Sequence, residues 1–195
     1  MKKHLTILSA AVLLASCESA TTENSTAQNT TQDSALTQEA LVERGKYLVT
    51  IGGCNDCHSA KTMTDRGPVP DERYLMAGHL AEEQLPPVDQ AAFKNGWVLF
   101  NMNNTATVGP WGTSYAANLT PDATGIGTWS LKNFKKALRE GKYKGMDNTR
   151  MLLPPMPWPN FVDMTDQDVE AIFAYLKSLP PVKNNVPAPL PPAGA

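Results

Sequence analysis

The segment Cys54-Asn55-Asp56-Cys57-His58 carries two thiols and an imidazole at a spacing suited to one flat ligand. On a helical turn, residues i, i+3 and i+4 share one face, so these three side chains can point in one direction. Two thiols can add across the two vinyl groups of a porphyrin, and an imidazole nitrogen can bind its iron. C-x-x-C-H is the attachment signature of c-type haem. The sequence therefore predicts one covalently bound haem c.

Other uses of closely spaced cysteines fit this chain less well. A zinc site usually has four N or S ligands, but the chain has only one further cysteine, Cys17, and two further histidines, His4 and His79. A thioredoxin-like C-x-x-C lies in a βαβ setting, and no alternating strand and helix pattern surrounds this motif. A disulfide between residues three apart is geometrically awkward and would not require the histidine that follows.

The N-terminus has the pattern of an export signal. Lys2 and Lys3 precede a short apolar run, Leu5 to Ala15, which is too short to span a membrane as a helix. Leu14-Ala15-Ser16-Cys17 resembles the lipobox of bacterial lipoproteins, in which the signal is cut immediately before a cysteine that carries diacylglycerol. We expect lipidation at Cys17. The alternatives are a cleavable signal with an incidental cysteine and an uncleaved anchor.

Both kinds of signal place the chain outside the cytoplasm, on the periplasmic or cell-envelope side. That location agrees with the haem motif, because bacteria attach c-type haem in that compartment. Removing the signal removes two lysines and no acidic residue, which leaves 15 of 17 basic residues against 19 acidic ones and a net charge of −4. This charge suggests docking on a basic partner, and the composition gives no indication of nucleic-acid binding.

The chain divides into four segments by composition. Residues 1–17 form the predicted lipoprotein signal, and residues 18–38, rich in Ser, Thr, Asn and Gln, are expected to be a disordered tether. Residues 39–183 suit one domain with a single haem motif. Residues 184–195 are dominated by Pro and Ala and should form an extended, unpacked tail.

Three helices are predicted, at about 38–51, 130–140 and 165–179. Ser130 and Thr165 are suitable N-caps, while glycines or prolines follow each helix. Met164 and Val169 could form a hydrophobic staple around the start of the third helix. Between about 60 and 128 little regular structure is expected, apart from short helices near 82–84 and 89–95. A loop of this length suggests a function, and covering a haem is a suitable one.

Met156 is the favoured second iron ligand. It lies between prolines in Pro154-Pro155-Met156-Pro157, and prolines restrict the backbone, so the thioether loses little entropy on binding. Methionine paired with histidine raises the reduction potential relative to two histidines. Met151 lacks the flanking prolines, and His79 is better explained by a hydrogen bond to a propionate or to backbone. From the residues alone, these two alternatives stay open.

Several short motifs occur in order along the chain: Arg44 to Val49, Cys54 to His58, Asn118 to Asp122, Gly125 to Ser130, Ala137 to Gly141, Pro155 to Trp158 and Ala171 to Leu176. This ordered set resembles class I cytochromes c, and in particular the domains found in bacterial dehydrogenase cytochrome subunits. That resemblance implies an all-α fold of a few short helices around one haem c, with Met156 as sixth ligand and a Gly–aromatic helix crossing at Gly45 with Tyr175 or Phe173. It also suggests Trp129 and Arg139 as propionate ligands. The loop over 60–115 is longer than in minimal members.

The function these features favour is a membrane-tethered one-electron carrier rather than an enzyme. Its partners would be redox proteins, such as a dehydrogenase, a respiratory complex or a terminal oxidase, and a membrane reached through the N-terminal lipid. Three alternatives remain: a haem c subunit of a dehydrogenase complex, a peroxidase-like haem enzyme with a labile distal site, and a haem sensor.

Overall fold

Two helices from opposite ends of the domain cross at its centre. A computed structural model describes residues 37–88 and 90–192. Helix α1 spans Gln38–Ile51 and begins at Thr37, whose hydroxyl accepts a hydrogen bond from the Ala40 amide. These bounds confirm the helix predicted at 38–51. The C-terminal helix of the crossing spans Asp166–Ser178 and begins at Thr165, whose hydroxyl accepts from the Asp168 amide. It falls within the predicted 165–179.

The crossing depends on a glycine. A Cβ atom at Gly45 would lie 1.9 Å from the Ala171 carbonyl oxygen and 2.7 Å from Cβ of Tyr175, so only a residue without a side chain fits. Tyr175, rather than Phe173, is therefore the aromatic residue at the Gly45 contact. Val49, Val169 and other buried apolar side chains fill the core beside it.

Two further helices carry predicted site residues. The first carries both cysteines and His58, and the second carries Arg139. Helix α2 spans Cys54–His58 and follows Gly53, whose φ of 65° allows the chain to turn sharply after α1. The second of these helices spans Leu131–Glu140 and is capped by Ser130, as expected. It ends at Gly141, where a Cβ atom would meet the indole of Trp158 at 2.5 Å.

The long loop contains two small antiparallel sheets, so the all-α fold that the resemblance implies is found only in part. Helices form the crossing and carry the predicted site residues, and short strands occur in the loop. In the first sheet, β1 (Lys61–Thr64) pairs with β2 (Gly67–Pro70). In the second, the strand order is β3 (Leu99–Phe100), β4 (Ala106–Gly109), β5 (Gly112–Tyr115). Strands of two to four residues are too short to show an alternating pattern in sequence.

In chain order, the short helix α3 (Gln90–Lys94) follows the first sheet and precedes the second. It lies within the region predicted as 89–95. The helix suggested near 82–84 is absent there, since those residues form a turn and an irregular segment. The helices at 131–140 and 166–178 are therefore α4 and α5 in chain order. Short 3₁₀ segments occur at Glu72–Tyr74, Tyr143–Gly145 and Trp158–Phe161.

The C-terminal segment is tied to the domain at Asn184 and Leu190, which the unpacked tail predicted from its composition does not include. The Asn184 side chain is buried, donates to the carbonyl oxygens of Ala77 (2.7 Å) and His79 (2.8 Å) and accepts from the Ala81 amide (3.0 Å). Leu190 exchanges backbone hydrogen bonds with Thr113 on β5. Backbone pairing and one amide side chain thus hold a segment whose prolines gave no sign of packing.

None of the helices in the described part of the chain has the length and apolar character needed to cross a membrane. The predicted lipoprotein signal, with Cys17, lies outside the described residues. The predicted tether does as well, apart from Thr37 and Gln38.

Candidate functional site

Helix α2 carries both cysteines and His58 on little more than one turn, as the spacing predicts. Among the described residues, Cys54 and Cys57 form no disulfide, and both side chains are partly exposed. Burial is the main cause that raises the pKa of each thiol above its usual value. Both sulfurs are therefore held as thiols that a ligand can reach.

The orientation of the His58 ring is fixed by a backbone carbonyl. Nδ1 of His58 lies 2.8 Å from the Ala117 oxygen, and because a carbonyl only accepts, Nδ1 must carry the proton. Nε2 then has a free lone pair, which is the arrangement of a histidine that binds metal through Nε2. Burial lowers the pKa of His58, which favours the neutral imidazole that a metal requires.

Lys61 closes the C-terminal end of α2. Its ammonium donates to the carbonyl oxygens of Asn55, Asp56 and Ser59 and also to that of Asn103, at 2.5–3.1 Å. The last carbonyls of a helix have no partner within the helix, and a cation is favourable there. Burial lowers the pKa of Lys61, with Asp56 opposing the shift. The sequence motif gives no sign of this residue, because Asn103 is 42 residues away.

Met156 lies half-buried in the loop before the 3₁₀ segment Trp158–Phe161. The Ser114 hydroxyl donates to the Pro154 carbonyl oxygen at 2.6 Å, which ties this loop to β5. Three residues further along, Ala117 accepts the hydrogen bond from His58. Residues 114–117 thus connect both elements that carry the predicted iron ligands.

The rival sulfur and nitrogen ligands are explained by other contacts. His79 is 1% exposed, its Nδ1 lies 2.9 Å from the Thr105 hydroxyl and its ring packs on Tyr115 at 4.8 Å. Met151 is exposed, and Met164 packs against the core. Met76 is fully buried and has a long contact from the Ser59 hydroxyl to its sulfur.

The two predicted propionate ligands are both engaged with the protein. Arg139 donates to the Asp166 carboxylate at 2.6 Å and to the Met164 carbonyl oxygen, so its terminal nitrogens are committed to the start of α5. Its Nε is buried and unpartnered among the described residues, as is the side-chain oxygen of Asn55 on α2. Trp129 packs against the core.

The described residues therefore fit a covalently attached haem: two unpaired thiols, an imidazole oriented for metal binding and a thioether on a tethered loop. Together with the crossing of α1 and α5, they define a haem-binding domain of the C-x-x-C-H class. A family model described as Cytochrome c matches residues 42–180. The chain belongs to the cytochrome c family, which carries covalently bound haem c.

Curated relatives include cytochrome subunits of dehydrogenases. The gluconate 2-dehydrogenase cytochrome c subunit of Pantoea cypripedii is 35% identical over 138 residues, which are 70% of this chain and 23% of that protein. The cytochrome c subunit of the quinone-dependent alcohol dehydrogenase of Gluconobacter oxydans is 30% identical over 138 residues, which are 70% of this chain and 21% of that protein. The chain thus spans less than a quarter of the length of these relatives.

A third relative, a diheme cytochrome c-type protein of Cereibacter sphaeroides, is 25% identical over 182 residues, which are 93% of this chain and 50% of that protein. The relative is named for two haems, whereas this sequence has one C-x-x-C-H motif.

Proposed function

We propose that this protein is a one-electron carrier with a single haem c, attached through Cys54 and Cys57 and bound at its iron by His58 and Met156. When bound, haem c supplies an Fe(II)/Fe(III) couple. The observation that best supports the proposal is the connection through residues 114–117 of the His58 ring and the Met156 loop. A carrier needs its two axial ligands held in place, so that the iron changes charge without changing ligands.

The residues around the site contribute attachment and orientation. Each thiol adds across one vinyl group, with the sulfur bound to one carbon and the thiol hydrogen to the other, so no oxidant is needed. The Ala117 carbonyl oxygen keeps Nε2 of His58 unprotonated. Lys61 holds the end of the helix that carries all three groups. None of these roles requires the protein to bind a substrate.

Replacing Met156 with Ala tests the second ligand. We expect the haem to stay covalently bound, because the thioethers are untouched, while the reduction potential falls and the reduced protein binds carbon monoxide rapidly. Absorption spectra in both oxidation states and a redox titration measure these changes. Met151→Ala is the matched control and should leave spectrum and potential unchanged.

Two results would contradict this assignment. An unchanged spectrum and potential in Met156→Ala would exclude Met156 as a ligand. Rapid, stoichiometric carbon monoxide binding by the unaltered protein would instead indicate an open distal site, as in a peroxidase-like enzyme.

The relatives favour a second, more specific role, that of the cytochrome c component of a dehydrogenase assembly, since their names describe such subunits. A stable enzyme partner that co-purifies from membranes with dehydrogenase activity would support this role. Recovery of the carrier alone under mild extraction would favour a free carrier.

The proposed anchor is a lipid on Cys17, followed by the tether up to residue 38. A lipid at the end of a flexible tether keeps a carrier close to membrane-bound donors and acceptors and raises its effective concentration there. Stable attachment needs more than one acyl chain, which a lipidated N-terminal cysteine of the bacterial type provides.

A further inference from the structure

Positive charge is concentrated in one segment of this protein. Residues 131–150 contain seven Lys or Arg and two Asp or Glu, a net charge of +5. The whole chain has a formal charge of −2, which leaves −7 for all the other residues. The negative net charge of the whole chain therefore does not describe the surface formed by residues 131–150.

The C-terminal half of this segment folds into a short hairpin, here called the 142–151 hairpin. Lys142 and Met151 form an isolated antiparallel bridge, and the Tyr143 amide donates to the Arg150 carbonyl oxygen at 3.0 Å. The Thr149 hydroxyl donates to the carbonyl oxygens of Tyr143 and Met146, both at 2.8 Å, and closes the turn. The hairpin is thus a defined structure that can present side chains in fixed positions.

Three of the four basic residues of α4 have acidic neighbours, whereas Lys132 forms no salt bridge among the described residues. Lys135 and Arg139 pair with Asp166 of α5. Lys136 pairs with Glu140 and with Asp147, which are the two acidic residues of the segment.

The basic residues of the hairpin are not neutralised in this way. Within the described part of the chain, Lys142, Lys144 and Arg150 form no salt bridge with a carboxylate. Lys144 and Arg150 are exposed. The uncompensated charge of residues 131–150 therefore lies mainly on the hairpin.

Apolar side chains are exposed on the same hairpin. Met146 and Met151 are 46% and 40% exposed. The Arg150 guanidinium lies 4.1 Å from the centroid of the Tyr143 ring, and the Lys144 ammonium lies 5.5 Å from it. Tyr, Met and Arg are enriched in protein interfaces relative to the rest of a protein surface.

The hairpin adjoins the loop that carries Met156. The Leu152 amide donates to the Gly141 carbonyl oxygen at 2.6 Å, which fixes the exit of the hairpin against the end of α4. Gly141 in turn packs on Trp158, two residues after Met156. A partner bound to the hairpin would therefore lie beside the part of the chain that holds the proposed second iron ligand.

We propose that the 142–151 hairpin is the docking surface for a redox partner whose contact face is an acidic protein surface. The proposal rests on the carrier function above. It assigns an acidic contact face to the partner, whereas the negative net charge of the chain suggests a basic one. Complementary charges steer association and speed it. A lipid bilayer is disfavoured as occupant, because membrane-surface segments usually present Trp, Phe or Leu on an extended apolar face.

The test measures binding of poly-L-glutamate to the reduced, haem-loaded full chain by titration calorimetry at low ionic strength. We expect binding that weakens with added salt. The variant Lys142→Glu/Lys144→Glu/Arg150→Glu should bind about tenfold more weakly or not at all, since it reverses the three unpaired positive charges of the hairpin. The neutral variant Lys142→Gln/Lys144→Gln/Arg150→Gln should lose less affinity.

The matched control is Lys46→Glu/Arg66→Glu/Lys183→Glu, which changes the net charge by the same amount at exposed positions elsewhere. It should retain most of the binding. An equal loss of affinity in the hairpin Glu variant and in this control would overturn the proposal, because binding would then follow net charge alone. Binding to phosphatidylglycerol vesicles without binding to poly-L-glutamate would also overturn it and would identify a membrane surface.

Voltammetry of the same samples separates this proposal from the function on which it rests. A reversible one-electron wave with no polyglutamate binding would leave the carrier function standing and remove the docking surface. Polyglutamate binding that the hairpin variant loses, in a protein without a reversible wave, would support the surface and contradict the carrier function.

Discussion

Lys61 joins the segment that bears the two cysteines to a loop 42 residues further along the chain. Its amide donates to the Asn103 side chain at 3.0 Å, while its ammonium donates to four carbonyl oxygens. Asn103 in turn donates to Glu83. A single side chain thus fixes the end of α2, immediately after His58, against the larger sheet region.

Replacing Lys61 with Met keeps the side chain's length but removes its donors. We expect the free energy of unfolding to fall by about 1–2 kcal/mol, because charge-assisted hydrogen bonds are lost from a partly exposed site. The reduction potential should also fall, since losing a positive charge close to the helix end that carries His58 would favour Fe(III). Denaturant titration and a redox titration measure the two effects.

Lys46→Met is the control for Lys61, because Lys46 is exposed on α1. It should change neither quantity appreciably. Equal stability of the Lys61 variant and the unaltered protein would show that water replaces the ammonium at these carbonyl groups without cost.

His79 should make stability depend on pH. Burial lowers its pKa below the usual 6.5, although Glu83, 3.8 Å away, partly opposes this shift. The other titratable group at its ring is Tyr115, which stays neutral at these pH values. Below about pH 6.5 the unfolded chain binds a proton that the native state resists, so the free energy of unfolding falls with falling pH until the native pKa is reached.

Denaturation at about pH 7.5 and about pH 5.5 checks this expectation. The unaltered protein should lose more stability between the two pH values than His79→Gln, which has no imidazole to protonate. The Glu83 carboxylate keeps its hydrogen bonds from Asn101 and Asn103 in both proteins. Equal losses would mean that His79 has the same pKa in the folded and unfolded states.

At the scale of elements, the crossing of α1 and α5 should be sensitive to one methyl group. Alanine in place of glycine within a helix usually stabilises it by up to about 1 kcal/mol. At Gly45 the new Cβ would lie 1.9 Å from the Ala171 carbonyl oxygen, so the helices must separate. We expect Gly45→Ala to lower the free energy of unfolding by roughly 2–3 kcal/mol, measured by denaturant titration.

The neighbouring exposed position provides the control, since Lys46→Ala adds no contact and should be close to neutral. A Gly45→Ala protein as stable as the unaltered one would mean that the two helices can move apart without loss of packing.

The helices α1, α4 and α5 were predictable because each has a local signal at its ends. Thr37, Ser130 and Thr165 cap their helices as side-chain acceptors, and the apolar spacing between cap and stop residues is helical. The C-x-x-C-H face was equally local. For such elements the residues that decide the structure lie within a few positions of one another.

The sheets and the packed C-terminal segment were not predictable for the opposite reason. Each strand is too short for a periodic pattern, and its partner is chosen by contacts formed elsewhere. Asn184 looks like any polar residue in a Pro-rich segment, yet it binds residues more than 100 positions earlier. The Lys61 contacts were missed for the same reason.

For the whole molecule, Cys17→Ser tests the proposed anchor. We expect the haem protein to move from the membrane fraction to the soluble periplasmic fraction, measured by haem absorbance after fractionation and a high-salt wash. Ser16→Ala keeps a small residue before the cysteine and should stay membrane-bound. Persistent attachment of the serine variant would argue for an uncleaved N-terminal anchor.

The Asn184 contacts also constrain the order in which this chain can fold. Asn184 ties the segment Ala77–Ala81 and comes after α5, so neither the helix crossing nor this tie can form until almost the whole domain has been synthesised. Contacts of such large sequence separation are slow to form. The C-x-x-C-H segment, in contrast, emerges early. On the proposed export route the cysteines therefore leave the membrane before the residues that complete the fold, and we expect them to be accessible for haem attachment during that interval.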